Sequence, residues 1–110
     1  MEINLDNWTK QQYHAFLLFC GARSNLGLSE AEHLYISSIV GEENYNFAKT
    51  EYAKCSDYQC AGIISDGRKK FYPSEHDKQQ LESELKTLFA ADHEYAILEE
   101  NFLRYIDKLL

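Results

Sequence analysis

The stretch "AADHEYAILEENFLRYIDKLL", residues 90–110, decides the fold class of this chain. Its apolar residues recur at the spacing of one helical face, and this pattern predicts an amphipathic helix whose inward positions are Leu98, Phe102, Tyr105, Ile106 and Leu109. A short acidic turn precedes that helix. In it Asp92 stands seven residues before Glu99, which falls where the first helical turn begins.

A second stretch, "RSNLGLSEAEHLYISSIV" at residues 23–40, has the same outline. Here Asn25 stands seven residues before Glu32, and an apolar-striped helix follows. One constant shift along the chain places Asn25 on Asp92 and Glu32 on Glu99, and it also brings the apolar positions of the flanking helices into register. The sequence therefore predicts two pseudo-repeated units, each consisting of a helix, an acidic turn and a helix.

Further helix starts are marked by residues that can cap free backbone amides. Ser or Thr followed three residues later by Gln or Glu is a capping box, and the pattern occurs at Thr9–Gln12, Ser29–Glu32 and Ser56–Gln59. Pro73-Ser74 indicates another start. Together these signals predict an all-α, compact bundle of about five to seven helices.

Turn signals set the expected helix ends. The first helix should end near Gly21 and the second at Gly41. We expect a short helix over residues 46–55 and another from Tyr58 to about Ser65. Asp66-Gly67 is typical of a turn, so residues 68–72 are expected to form a loop or an extended stretch.

Size and composition predict a single domain over residues 1–110. Apolar residues make up 45% of the chain, which suffices for a core, and charged residues make up 26%, which suits a soluble surface. The single proline and five glycines leave few turn residues, which favours long helices over an all-β fold.

Charge and hydropathy narrow the classes of partner. A formal net charge of −7 opposes binding to nucleic acid, and no apolar run has the length required for membrane insertion. The three cysteines, an odd number, indicate free thiols in a reducing compartment, so we expect a cytoplasmic protein.

The two repeated stretches resemble the TerB-like family, helical proteins named after a tellurite-resistance component. The segment "LKTLFAADHEYAILEENFLRYI" is similar to the family's helix–acidic turn–helix motif, with His93 in place of the usual glycine. "CGARSNLGLSEAEHLYISSI" is similar too, with Asn25 in place of the aspartate and Gly27 displaced by one position. The resemblance implies a TerB-like helical domain, an acidic cluster that holds a metal cation, and a link to metal or stress response.

Asn25, Glu32, Asp92 and Glu99 are therefore the candidate metal ligands, for calcium or magnesium if the two turns meet in space. The competing interpretation is structural, because Glu32 completes a capping box with Ser29, and Glu99 suits the positive end of a helix dipole. The spacing excludes an EF-hand, since Ile97 falls where the loop glycine is required. Cys55 and Cys60 lack a second pair of zinc ligands nearby.

The chain carries no motif of a nucleophile, a phosphate-binding loop or a dinucleotide site, so we expect no enzyme and no catalytic residue. The leading hypothesis is a binding or adaptor module with a protein partner. The alternative is a homodimeric structural protein without an ion site that associates through aromatic residues between positions 45 and 72. Most of those aromatic residues are expected in the core.

Overall fold

The computed structural model describes residue 5 and residues 7–23, 30–72, 74–90 and 97–109. Within these ranges the chain forms six α-helices and no strand, which confirms the all-α prediction. The helices are α1 (Lys10–Arg23), α2 (Glu30–Val40), α3 (Glu42–Ala53), α4 (Asp57–Phe71), α5 (Glu75–Ala90) and α6 (Ile97–Leu109). None of the described helices is both long and apolar enough to cross a membrane.

Helix α1 is the centre of the bundle and contacts α2, α3, α4 and α5. Its apolar run leaves little polar surface, and the side chains buried along it are Tyr13, Ala15, Phe16, Leu17, Leu18, Phe19, Cys20 and Ala22. They point in all directions around the helix axis rather than to one face. A helix that is apolar all round must be enclosed by other elements to remain out of water.

The capping boxes form as predicted wherever the structure describes them. The Thr9 amide donates to Gln12 Oε1 over 2.9 Å, and the Gln12 amide donates to Thr9 Oγ1 over 3.1 Å. The corresponding pair at the start of α4 is complete as well, with Ser56 Oγ accepting from the Gln59 amide. These bonds satisfy amides of the first turn that have no partner within the helix. Ser29 lies outside the described residues.

Gly41 separates α2 from α3 without an intervening loop. Its φ of 89° lies in the left-handed region, where a side chain would be strained. The Gly41 amide donates to the Ser37 carbonyl at the end of α2, and its own carbonyl accepts from the Tyr45 amide in α3. The third helix therefore starts at Glu42, earlier than the sequence pattern predicts, because one glycine turns the chain directly into it.

The predicted turn at Asp66-Gly67 is wrong, because α4 continues through it to Phe71. Gly67 is buried against α1, and a Cβ at this position would lie 2.6 Å from Cδ1 of Tyr13 and closer still to Cε1. The Tyr13 hydroxyl donates to the Ile64 carbonyl over 2.5 Å, and its ring stacks on Phe71. Gly67 is thus present for the close approach of an aromatic ring rather than for a turn.

We predict that Gly67→Ala lowers the free energy of unfolding by about 1–3 kcal/mol, because the added methyl group overlaps the Tyr13 ring. Gly62, in the same helix, is the matched control, since a Cβ there meets nothing within 4 Å. Gly62→Ala should raise the unfolding free energy by roughly 0.5–1 kcal/mol through helix propensity alone. Urea denaturation measures both, and equal effects at the two positions would contradict this packing.

Candidate functional site

Of the four predicted metal ligands, Glu32 lies in the first turn of α2 and is fully buried. Glu99 lies in the first turn of α6, but its side chain falls outside the part of the chain that the structure describes. Asn25 and Asp92 lie outside the described residues. The meeting of the two acidic turns therefore stays a prediction.

Glu32 is nevertheless unusual on physical grounds. Among the residues that the structure describes, it is the one charged side chain with no exposed surface. Removing a carboxylate from water costs several kcal/mol unless a proton, hydrogen bonds, a cationic side chain or a metal ion compensates for it. An ordinary capping glutamate stays in solvent, so burial is more than the capping interpretation of Glu32 requires.

Within the described ranges, no three histidine, cysteine or acidic side chains are grouped so as to hold a metal ion. A site at the acidic turns would therefore take its remaining ligands from Asn25, Asp92 or Glu99, whose side chains are not described.

A cleft of about 330 Å³ opens between α1, α2 and α5. Its walls are predominantly polar and comprise Lys10, Gln11, His14, Ile39, Tyr72, Asp77, Gln80 and Glu84. This cluster was not predicted from the sequence. The sequence feature that could have indicated it is a pattern of charges. Lys10 and His14 are one helical turn apart on α1, and they face Asp77 and Glu84, which are two turns apart on α5.

His14 connects three parts of the structure at the base of this cleft. Its Nδ1 contacts the Tyr72 hydroxyl, and its Nε2 contacts the Glu84 carboxylate. Burial raises the pKa of Tyr72 well above its ordinary value, so the hydroxyl stays protonated and donates a hydrogen bond to Nδ1 of His14. In a neutral imidazole the ring proton then lies on Nε2, which donates a hydrogen bond to Glu84.

The charged groups at the rim of the cleft are also paired within the chain. Lys10 Nζ lies 2.9 Å from Asp77 Oδ1, and the Ser74 hydroxyl donates to Asp77 Oδ2 over 3.0 Å. The hydrogen bond from Lys10 holds the pKa of Asp77 below its ordinary value. The paired side chains of the cleft thus join α1 to α5, and they leave few unsatisfied polar groups for a ligand.

The three cysteines come together in space. Cys20 of α1 and Cys60 of α4 are buried, and the half-buried Cys55 precedes α4. The Cys60 thiol is in hydrogen-bonding contact with both of the others. Burial raises the pKa of Cys20 and, together with Cys60, raises that of Cys55 to about 11, which keeps these thiols protonated at neutral pH.

The aromatic residues between positions 45 and 72 contribute mainly to the core, as predicted. Tyr45, Phe71 and Tyr72 are buried, and Phe47 and Tyr52 pack against the core from its edge. Tyr58 is the exception, with 88% of its surface exposed. These side chains therefore do not form a continuous aromatic surface.

Comparison of the chain with protein-family models, with curated proteins and with solved structures finds no match.

We predict that Tyr72→Phe lowers the free energy of unfolding by about 1–3 kcal/mol, because it leaves Nδ1 of the partly buried His14 without its donor. Tyr58→Phe is the matched control and should have no measurable effect, since that hydroxyl is on the surface. Chemical denaturation near neutral pH measures both variants. If Tyr72→Phe leaves the free energy of unfolding unchanged, the role assigned to His14 is contradicted.

Alkaline pH should destabilise the fold through its buried tyrosines. Burial raises the pKa of Tyr13 and Tyr72, so both stay protonated in the folded chain while they ionise in the unfolded chain. The contribution of these two tyrosines to the free energy of unfolding is fully present below about pH 10. Above that pH it is lost, by up to roughly 1.4 kcal/mol per pH unit for each tyrosine. Denaturation curves at increasing pH measure the slope, which Tyr72→Phe should reduce. Phenolate absorbance showing every tyrosine ionising before unfolding would contradict this.

Proposed function

We propose that this protein is a TerB-like, non-enzymatic binding or adaptor module that acts in the cytoplasm, in metal or stress response. In this proposal a divalent cation, calcium or magnesium, binds where the turns before α2 and α6 meet. Its ligands are Asn25, Glu32, Asp92 and Glu99. The bound ion fixes the relative position of the two helix starts and so the surface offered to a protein partner.

The burial of Glu32 is the observation that carries this proposal. A hard cation prefers carboxylate and carbonyl oxygens, and its charge offsets the cost of removing the carboxylate from water. Because Glu32 lies in the first turn of α2, its carboxylate belongs to the same end of the helix as the turn that contains Asn25.

The repeated outline of the sequence supports the idea of two related units. A shift of 67 positions places Asn25 on Asp92 and Glu32 on Glu99.

The chemistry of the reactive side chains supports a non-enzymatic role. Both ring nitrogens of His14 are engaged within the chain, by a tyrosine hydroxyl and a carboxylate, which suits a structural role for this imidazole. Protonated thiols at Cys20 and Cys55 are poor nucleophiles. The alternative of a homodimer without an ion site rests on the exposed Tyr58, and its distinguishing result is a dimer at micromolar concentration in sedimentation.

We predict that calcium, magnesium or manganese raises the melting temperature, because an ion that binds only the folded chain stabilises it. At about 100 times its dissociation constant the ion contributes about 2.7 kcal/mol, which corresponds to a shift on the order of 10 °C for a domain of this size. Differential scanning fluorimetry of the metal-free chain, titrated with each ion, measures the shift.

Glu32→Gln and Glu99→Gln should each abolish the shift, since each removes one charged ligand and keeps the side-chain shape. Glu30→Gln is the matched control, because Glu30 is exposed in the same first turn of α2. It should respond to the ion like the unmodified chain. If none of the three ions changes the melting temperature, or if Glu32→Gln responds fully, the cation site is refuted.

A further inference from the structure

Cys55 and Cys60 are in contact at the N-terminus of α4. Ser56 is the N-cap of α4, so Cys55 is the residue before the cap and Cys60 is the fourth residue of the helix. In many proteins an apolar pair at these two positions packs together as a hydrophobic staple beside the capping box. Here the capping box of Ser56 and Gln59 is complete, and both members of the staple are thiols.

The backbone holds the two cysteines in place. The Cys55 amide donates to the Tyr52 carbonyl over 3.1 Å, and the Cys60 amide donates to the Ser56 carbonyl over 2.9 Å. Cys60 is part of the core, whereas Cys55 packs against its edge and is half-buried. An oxidant from solvent therefore reaches Cys55 first, with a second thiol already in contact behind it.

We propose that Cys55 and Cys60 form an oxidation site, at which a hydroperoxide converts the thiol staple of α4 into an intramolecular disulfide. This site is separate from the proposed cation site and does not depend on it. The product is a covalent S–S bond across the first turn of α4. In the reduced chain the same two sulfurs only pack against each other.

The reaction proceeds in two steps. The sulfur of Cys55, as its thiolate, attacks one oxygen of hydrogen peroxide, the O–O bond breaks, and Cys55 becomes a sulfenic acid. The other oxygen leaves as hydroxide, which becomes water by taking up the proton that the thiol released. The sulfur of Cys60 then attacks the sulfenic sulfur, an S–S bond forms, and the hydroxyl group leaves with the Cys60 proton as a second water. Both sulfurs are oxidised by one electron each, and the peroxide is reduced to water.

The environment of Cys55 sets the conditions under which the site reacts. A thiol with a pKa near 11 is almost fully protonated at neutral pH, so its oxidation is slow there. Burial and the neighbours Cys60 and Glu51 favour the protonated form, and Lys54 opposes them. The first step should therefore accelerate about tenfold per pH unit as pH rises toward that pKa.

Hydrogen peroxide treatment of the folded, reduced chain at about pH 9 tests the proposal. Denatured-state thiol counting should fall from three free thiols to one, and peptide mapping should join Cys55 to Cys60 in a monomer that reductant restores. Cys20→Ser should form the same disulfide, whereas Cys55→Ser should keep its remaining two thiols. Circular dichroism before treatment verifies that each variant is folded.

Blocking Cys55 with iodoacetamide in the unmodified chain gives an independent test that needs no substitution. The blocked chain should keep Cys60 reduced under the same peroxide treatment. Oxidation of Cys55 to sulfinic acid with Cys60 still reduced would overturn the proposal. A disulfide that joins Cys20 to Cys60, or one that links two molecules, would overturn it as well.

Discussion

The packing of the Tyr13 ring against the backbone of Gly67 fixes how α4 lies on the central helix α1. It brings α4 against the central helix α1 more closely than any side chain at position 67 would allow. The hydroxyl of Tyr13 then reaches the Ile64 carbonyl, and Phe71 and Tyr72 close around the ring. Because Tyr72 is fixed in this way, its own hydroxyl can reach His14 and tie α1 to the acidic face of α5.

The positions of the chemically distinctive groups follow from the central place of α1. An enclosed helix brings its polar residues into partly buried surroundings, where each needs a partner. His14 is engaged by Tyr72 and Glu84, and Cys20 by Cys60, so the reactive groups of α1 are held in hydrogen bonds. Glu32, on α2, is a fully buried carboxylate at a helix start, and its burial sets it apart from the other acidic residues described.

The helical class and several helix starts could be predicted from sequence because they depend on local patterns. Thr9 and Ser56 cap their helices through residues three positions away, so short windows contain the whole signal. The continuation of α4 could not be predicted in this way, because Gly67 is explained only by Tyr13, which is far away in the chain. The cluster around His14 was missed for the same reason. The contact between Cys55 and Cys60 was within reach of the sequence, because the predicted cap at Ser56 places one cysteine before the cap and the other in the first turns of the helix. The acidic turns remain a sequence-based prediction.

We propose that the turns before α2 and α6 form a single cation site around Glu32. Amide NMR spectra of the chain during titration with manganese test it most directly, because the paramagnetic ion broadens only signals near the place where it binds. We expect signals from residues 25–32 and 92–99 to broaden together at substoichiometric ion, and Glu32→Gln to abolish the effect. Broadening confined to one of the two segments, or spread over the exposed acidic residues of α3 and α5, would contradict it.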